Sequence, residues 1–435
     1  MKKILLLLMS ALLLFSAACS GGSISPGGRA YNARTDDDYY LSASNQLYPV
    51  VETENGFYFL TGSFLFYADV DTMAPIPVCA KPNCRHYEET DYDKLLDCGA
   101  YFQQSMTGGS LSYVDGQLYV FHRASHSGSG TDSASLRGYT LTQVSADGTQ
   151  RKNLISLIHP FPGKNLIHRG RFYIVTQETD QAGLTTAKLW SYSLDKPGEE
   201  PQLLYQTEPS EITHNLFSWM CAYTDYLYWT EFTQDRNRNR LLSLRILNLN
   251  TGELTVQELQ EGYTVGQAAI AGGNLLATCS QIGASAIYQA GSEKPDLSAP
   301  LLISSPDGTG TKEIAFASWG ATTADEDYIY LTSPKSNEQQ ADGSYISSVP
   351  TDSIRFCDPE MNLIDELPFE QLALPGTKLS AVCIYPTQRE KVLLHASYGY
   401  DEVFYYFDRA QIGTGEITPV EFWRFRYHDY LFTNT

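Results

Sequence analysis

The chain has little of what many folds and activities require. Long stretches with apolar residues at a 3.6-residue period are missing, so helices are not expected to carry the core. Positive charge is scarce: 30 Lys and Arg stand against 50 Asp and Glu, a formal net charge of −20. Nucleic acid is therefore a poor partner, since binding it rests on neutralised phosphates, and anionic headgroups would repel the same surface. Its acidity otherwise speaks for solubility. Catalytic signatures are also lacking. There is no His-Glu-x-x-His zinc helix, no Gly-x-x-x-x-Gly-Lys phosphate loop and no Gly-x-Ser-x-Gly nucleophile turn.

What is present begins at the N-terminus. Lys2 and Lys3 precede an apolar run from Ile4 to Met9, and after Ser10 a second one from Ala11 to Phe15. The run is too short to span a bilayer and has the layout of a secretory signal. Ser16, Ala17 and Ala18 then lead into Cys19. This resembles a bacterial lipoprotein signal with its lipobox, with Ser16 where that family usually has Leu. The resemblance implies a signal peptide over 1–18, cleavage before Cys19, and a lipid on its thiol. Two acyl chains, at about 0.8 kcal/mol per buried methylene, anchor stably where one would not. Residues 19–35 form the lipidated end and a flexible tether, Gly/Ser-rich from Ser20 to Arg29. The expected location is the extracytoplasmic face of the cell membrane, and with Lys2 and Lys3 removed the acidic excess grows to −22.

The remainder, 36–435, reads as β structure. Tyrosine is abundant at 30 copies, and Thr, Val and Phe are frequent. One pattern recurs: a turn signal followed by a strand centred on an aromatic or aliphatic pair. It appears at Asn55-Gly56-Phe57-Tyr58-Phe59, Asp115-Gly116-Gln117-Leu118-Tyr119 and Arg169-Gly170-Arg171-Phe172-Tyr173. Later copies are Asp225-Tyr226-Leu227-Tyr228, Gly273-Asn274-Leu275-Leu276, Asp327-Tyr328-Ile329-Tyr330 and Lys391-Val392-Leu393-Leu394. Asn-Gly and Asp-Gly between apolar strands favour tight hairpin turns. A second series interleaves with the first, an apolar strand running into Asp, Asn or Gly, as in Phe64 to Asp69, Leu141 to Gly148, Leu244 to Gly252 and Phe404 to Asp408.

The markers Tyr58, Tyr119, Tyr173, Tyr228, Leu276, Tyr330 and Leu394 lie about 48 to 64 residues apart, a period that suits a four-stranded antiparallel blade with its loops. Seven copies predict an all-β fold, a single seven-bladed β-propeller; six or eight blades, or two stacked β-sandwiches, are the alternatives. Closure is expected to pair an N-terminal strand, near Tyr39 to Leu41 or Leu47 to Val51, with the C-terminal strand Phe422 to Tyr427. The repeats resemble those of propeller lipoproteins of Gram-positive-type bacteria, and more loosely TolB-type propellers, through the turn Ser305-Pro306-Asp307-Gly308.

Between the first blade and the second lies a dense group: Cys79, Cys84 and His86, then an acidic stretch, then Cys98. Cys-Pro-Cys-His-Cys insertions of this kind occur in the propeller lipoproteins just named. A haem-attachment motif is excluded, because Arg85 separates Cys84 from His86. Two readings stay open. Cys79, Cys84, His86 and Cys98 complete a Cys3His set for structural zinc, or two of the cysteines form a disulfide, which export favours. Either would staple the insertion, by about 2 to 4 kcal/mol for a disulfide or apparent values of about 10 to 16 kcal/mol for zinc.

Other candidates read as ordinary structure. Cys221, Cys279, Cys357 and Cys383 sit singly in apolar strands, as small core residues do. Asp69 with Asp71, and Asp36 to Asp38, lack the spaced carboxylates and glycine of a calcium loop. Ser145-Ala146-Asp147-Gly148-Thr149 begins like a sialidase-type Asp-box without its aromatic, and so reads as a hairpin turn. Arg236, Arg238 and Arg240 form a solvated basic run. Three functions follow. The first is a non-enzymatic binding module for a glycan, peptide or protein ligand, favoured by aromatic loops and the missing catalytic set. The second is a glycan-active hydrolase or lyase, which needs two carboxylates about 5 to 10 Å apart at the ring mouth. The third is a scaffold subunit of a membrane-bound complex.

Overall fold

The structure, a computed structural model, describes residues 27–33, 36, 49–61, 63–103, 110–124, 138–158, 162–211, 217–234, 240–259, 261–281, 288–289, 298–317, 322–332, 336–339, 345–348, 353–377, 379–385, 387–399 and 401–426. Cys19, Asp37, Asp38, Arg236 and Arg238 lie outside them, as does the segment Tyr39 to Leu41.

Seven four-stranded antiparallel sheets follow one another along the chain, each with its strands in sequence order. Blade 1 comprises Val50–Thr53, Gly56–Thr61, Phe64–Asp69 and Pro75–Pro77; blade 2 comprises Ser110–Val114, Gln117–Arg123, Gly138–Ser145 and Arg151–Ile158. Blade 3 comprises Pro162–His168, Arg171–Thr179, Thr185–Ser193 and Gln202–Gln206; blade 4 comprises Phe217–Tyr223, Tyr226–Gln234, Arg240–Asn248 and Leu254–Val256. Blade 5 comprises Tyr263–Ala271, Asn274–Gln281, Ser298–Ser304 and Lys312–Ala317; blade 6 comprises Thr322–Ala324, Ile329–Thr332, Ser353–Cys357 and Leu363–Pro368. Blade 7 comprises Ala381–Tyr385, Lys391–Tyr398, Asp401–Asp408 and Val420–Arg426. The first strands of blades 1 to 6 touch one another in turn, which sets them innermost. The chain is a seven-bladed β-propeller.

The second strand of each blade explains why the sheets stand side by side. In Gly56–Thr61 every residue is buried. Phe57 and Phe59 join a cluster shared with blade 7, whereas Tyr58 and Leu60 join one shared with blade 2. A strand's two-residue period thus divides its side chains between two neighbours. The same division recurs around the ring: seven apolar clusters occupy the seven blade interfaces, including the one between blades 7 and 1. Tyr58, Tyr119, Tyr173, Tyr228, Leu276 and Tyr330 all face the following blade. In blade 7 that position belongs to Leu393, while Leu394 points back toward blade 6. The expected marker is one residue out of register there, and a one-residue slip exchanges the two faces.

The closing strand expected near Tyr39 to Leu41 lies outside the described residues. Val50–Thr53 pairs with Gly56–Thr61 inside blade 1, and Val420–Arg426 pairs with Asp401–Asp408 inside blade 7. No strand of the described residues crosses from one end of the chain to the other's blade. Among the described residues the seam closes by packing, and blade 7 draws its four strands from its own sequence. Glu52 on blade 1 also accepts the Gln388 N–H of blade 7 at 2.8 Å. Between blades 6 and 7 the pin is ionic. Arg409 donates to both carboxylate oxygens of buried Asp325, at 2.7 and 2.9 Å, and to Asp327 at 2.9 Å.

Turns between first and second strands, and between third and fourth, share one face of the ring. Asp115-Gly116 and Arg169-Gly170 have positive φ at both residues, the geometry of the tight hairpin read from the sequence. Onto this face docks the segment from Gly27 to Asn32. The Gly27 N–H bonds Leu249 O at 2.8 Å, and Arg169 Nε bonds Arg29 O at 2.6 Å. A β-carbon on Gly27 would come within 2.7 Å of Leu249, and Gly28 has φ +68°. These glycines serve close approach and left-handed backbone, so the expected tether 19–35 reaches the ring at Gly27. On the opposite face run the longer connections, between second and third strands. Those of blades 5 and 6 contribute a small sheet, Tyr288–Gln289, Ser336–Gln339 and Tyr345–Ser348, whose parallel Tyr288–Ser336 pairing links the two blades. Its polar strands gave no sequence signal.

Two outcomes test this architecture. Arg409→Ala leaves the buried Asp325 carboxylate without its cation, and urea unfolding should show a loss of about 3–5 kcal/mol. Glu52 lies above the usual carboxylate range because burial disfavours its charge more strongly than its partners favour it. Its contribution to stability is therefore full below the unfolded value and is lost as pH rises through the raised folded value. Glu52→Gln should accordingly melt higher than wild type at pH 8, with the difference vanishing as the medium is acidified below pH 4.5.

Candidate metal centre

The insertion of blade 1 interrupts that blade's outermost strand. Pro75–Pro77 pairs alongside Phe66 to Ala68, and Val78 N–H bonds Leu65 O at 2.9 Å. The chain then leaves the sheet and returns twenty-odd residues later. Leu65 N–H bonds Ala100 O and Phe102 N–H bonds Ser63 O, both at 2.8 Å, so Ala100 to Phe102 resume the strand. Cys79 and Cys98 stand at the two ends of the break. The excursion contains a 3-10 turn, His86–Glu88, and one helix, Tyr92–Asp97, whose N-cap Asp91 accepts the Asp93 N–H.

The three thiols and the imidazole converge. One donor atom each from Cys79, Cys84, His86 and Cys98 lies within 4.8 Å of all the others, and Cys98 Sγ is 3.6 Å from His86 Nδ1. A tetrahedral site with metal–sulfur bonds of about 2.3 Å has edges of roughly 3.8 Å, so the set encloses a metal after a small contraction. The backbone is shaped for this. Asn83 and His86 both adopt left-handed φ, +61° and +52°, which carries the chain sharply between Cys84 and the imidazole. Asn tolerates that region; for His it is sustained only by surroundings that fix it.

The environment treats the sulfurs differently. Burial would raise the Cys79 thiol, but the N–H groups of Lys81 and Gly99, with the Cys84 and Cys98 side chains, outweigh it and hold Cys79 below the ordinary thiol range. Cys98 is pushed up to about 12, chiefly by burial, and burial lowers His86. Neutral imidazole is the ligand form, and a coordinated thiol loses its proton outright. Gly99 lies so close that a β-carbon there would stand 3.1 Å from Cys79 Sγ.

Blade 2 supplies the support. Arg151 Nη1 donates to the carbonyls of Cys98 and Gly99 at 3.1 Å and of Tyr101 at 3.2 Å, and its guanidinium lies 4.0 Å over the Phe102 ring. The cation thereby fixes the backbone at the last thiol and sits near the sulfurs. Sequence reasoning missed Arg151, which starts an outer strand where a solvated residue is the usual occupant. It missed Tyr87 and Arg169 for the same reason: each acts through partners remote in sequence.

The structure brings the four candidate ligands together, and the seven described cysteines are free thiols. Cys221, Cys279, Cys357 and Cys383 are buried core residues, as read from the sequence. Asp69 accepts the N–H groups of Asp71 and Thr72 in its own turn, and buried Asp36 pairs with Arg29. The turns at Asp147-Gly148 and Asp307-Gly308 are alike: Asp147 and Asp307 accept N–H and hydroxyl bonds from Thr149 and Thr309. Each also receives a tyrosine from the preceding blade, Tyr58 to Ala146 O and Tyr228 to Pro306 O. They lock blades together.

No family model matches the chain, and no curated protein matches it. Solved structures do. The tricorn protease aligns at TM-score 0.49 and 7% identity over 92% of this chain and 37% of its own. Puromycin hydrolase aligns at 0.48 and 13%, over 89% of this chain and 56% of its own. The β-propeller domain of the Trilobed protease from Pyrococcus furiosus aligns at 0.42 and 9%, over 93% of this chain and 100% of its own. The chain thus spans about a third to a half of the first two. Similarity at this level concerns fold, which the strand order already establishes.

Arg151→Met keeps an apolar stem over Phe102 but removes three charge-assisted bonds. Unfolding should lose about 1.5–3 kcal/mol, and metal retention against a competing chelator should fall by about 10–100-fold, as when other outer-shell partners are removed.

Proposed function

We propose that this chain is an extracytoplasmic binding module, anchored to the membrane by a lipid on Cys19 and stapled by a zinc ion on Cys79, Cys84, His86 and Cys98. Its ligand is a glycan, peptide or protein, held without turnover. The observation that carries the metal reading is the closed donor set. Four protein donors fill a tetrahedron and leave no position for water or substrate, which is the mark of a structural rather than a catalytic zinc site. Three thiolates with an imidazole select zinc over the harder cations. Bound there, the ion supplies cross-linking and no chemistry of its own.

The docked N-terminal segment supports an outward-facing binding surface. From Cys19, residues 20–27 extend at most about 28 Å before the Gly27 contact. An anchored ring therefore keeps its tight-turn face near the bilayer. The face with the long connections, including the small sheet that links blades 5 and 6, then looks away and is the surface on which a ligand is received.

Four measurements test the proposal on protein purified from membranes. Elemental analysis should give one zinc per chain. Thiol counting on denatured, unreduced protein should find all of Cys79, Cys84 and Cys98 free; absence of zinc with a mapped disulfide among them overturns the metal reading. Wild-type protein should partition into detergent and Cys19→Ala should not, and a soluble, unmodified wild type would sink the anchor. Glycan hydrolysis that depends on a single Asp or Glu would replace the binding role with a catalytic one.

A further inference from the structure

The ring has one interface unlike the other six. Blades 1 to 7 are joined in succession by the chain, but among the described residues blade 7 meets blade 1 with no shared strand. The Cys/His insertion lies against this seam. Leu95, Cys98, Ala100 and Tyr101 belong to the same buried cluster as Tyr385, Phe404 and Phe425 of blade 7, and Cys79, Cys84 and Trp423 pack on it. Tyr87 makes the bridge. Its ring centre is 6.4 Å from Phe64 and 6.0 Å from Phe66 of blade 1, and 6.2 Å from Trp423 on the outer strand of blade 7. Phe66 and Trp423 are themselves 4.8 Å apart. On the other side, Arg151 of blade 2 holds the carbonyls of Cys98 and Gly99.

We propose that the metal-loaded insertion is the lock of the ring: ligation of His86 sets Tyr87 across the seam, so that metal occupancy helps hold blade 7 to blade 1. The proposal rests on the metal reading above and assigns that site its role. Transmission is local. His86 has left-handed backbone, φ +52°, and opens the 3-10 turn whose next residue is Tyr87. A residue with a β-carbon leaves that region when nothing holds it. Loss of the metal frees the imidazole, the turn relaxes, and the Tyr87 ring leaves its place against Phe66 and Trp423. Blade 7 is then retained by the remaining seam contacts and by its ion pair to blade 6, Arg409 with Asp325.

The experiment compares metal-loaded wild type, wild type stripped by a chelator, and Tyr87→Ala, which keeps all four ligands. Two readouts follow the seam: limited proteolysis in the connection between blades 6 and 7, and the part of the tryptophan emission that Trp423→Phe removes. Stripped protein and Tyr87→Ala should both be cut about tenfold faster or more, since cleavage follows the population of the open form. Both should also show a red-shifted Trp423 component, while Tyr87→Ala retains its metal. Restoring zinc should reverse the change in stripped wild type but not in Tyr87→Ala. Unchanged cleavage and emission after metal removal overturn the lock and leave the metal site standing. Protein purified without metal, with a disulfide among Cys79, Cys84 and Cys98, overturns both metal claims.

Discussion

Everything in this molecule depends on a strand that is buried on both faces. Gly56–Thr61 and its counterparts put odd and even residues into different clusters, so no blade satisfies its own apolar surface. A single twisted sheet with two sticky faces has no stable isolated form; it needs a neighbour on each side, and a finite row of such sheets always leaves two faces bare. Closing the row into a ring removes them. The tyrosines add direction to this packing, because a hydroxyl at the rim of one blade reaches a turn carbonyl of the next, as Tyr58 does to Ala146 and Tyr228 to Pro306.

Much of that logic was legible in the sequence because its signals are local. Turn residues followed by aromatic or aliphatic pairs mark the second strand of each blade, and Asp-terminated apolar runs mark the third. The errors share one cause, which is that they concern partners far away along the chain. Leu393 and Leu394 are chemically alike, so only the neighbouring blades reveal which faces which. Gly27 and Gly28 looked like linker residues, since a glycine that permits slack and one that permits close approach are identical in sequence.

The Cys/His group illustrates the same division. Its spacing announced a staple, because three thiols and an imidazole rarely fall so close without a common partner. Spacing could not announce what the staple holds. That depends on the split outer strand of blade 1, on the Arg151 guanidinium from blade 2 and on the Trp423 ring from blade 7. The insertion is therefore a junction of three blades at the rim, although the sequence assigns it to one.

Its position follows from the energetics of closure. Between consecutive blades the connecting chain keeps the local concentration of partner surfaces high, and modest packing suffices, as in the alanine-rich cluster between blades 5 and 6. The seam joins residues near 50 to residues near 425, and nothing short tethers them. Loop-closure entropy grows only logarithmically, to about 5 kcal/mol over some 375 residues, but contacts at that one interface must supply it. The seam is accordingly the most aromatic cluster of the ring, with Phe57, Phe59, Phe64, Phe66, Tyr385, Phe404 and Phe425. Large rings bury the most area per side chain and fix it with few rotatable bonds. An insertion whose Cys/His group can take a cross-linking metal, added to that cluster, lies at the interface that has least help from the backbone.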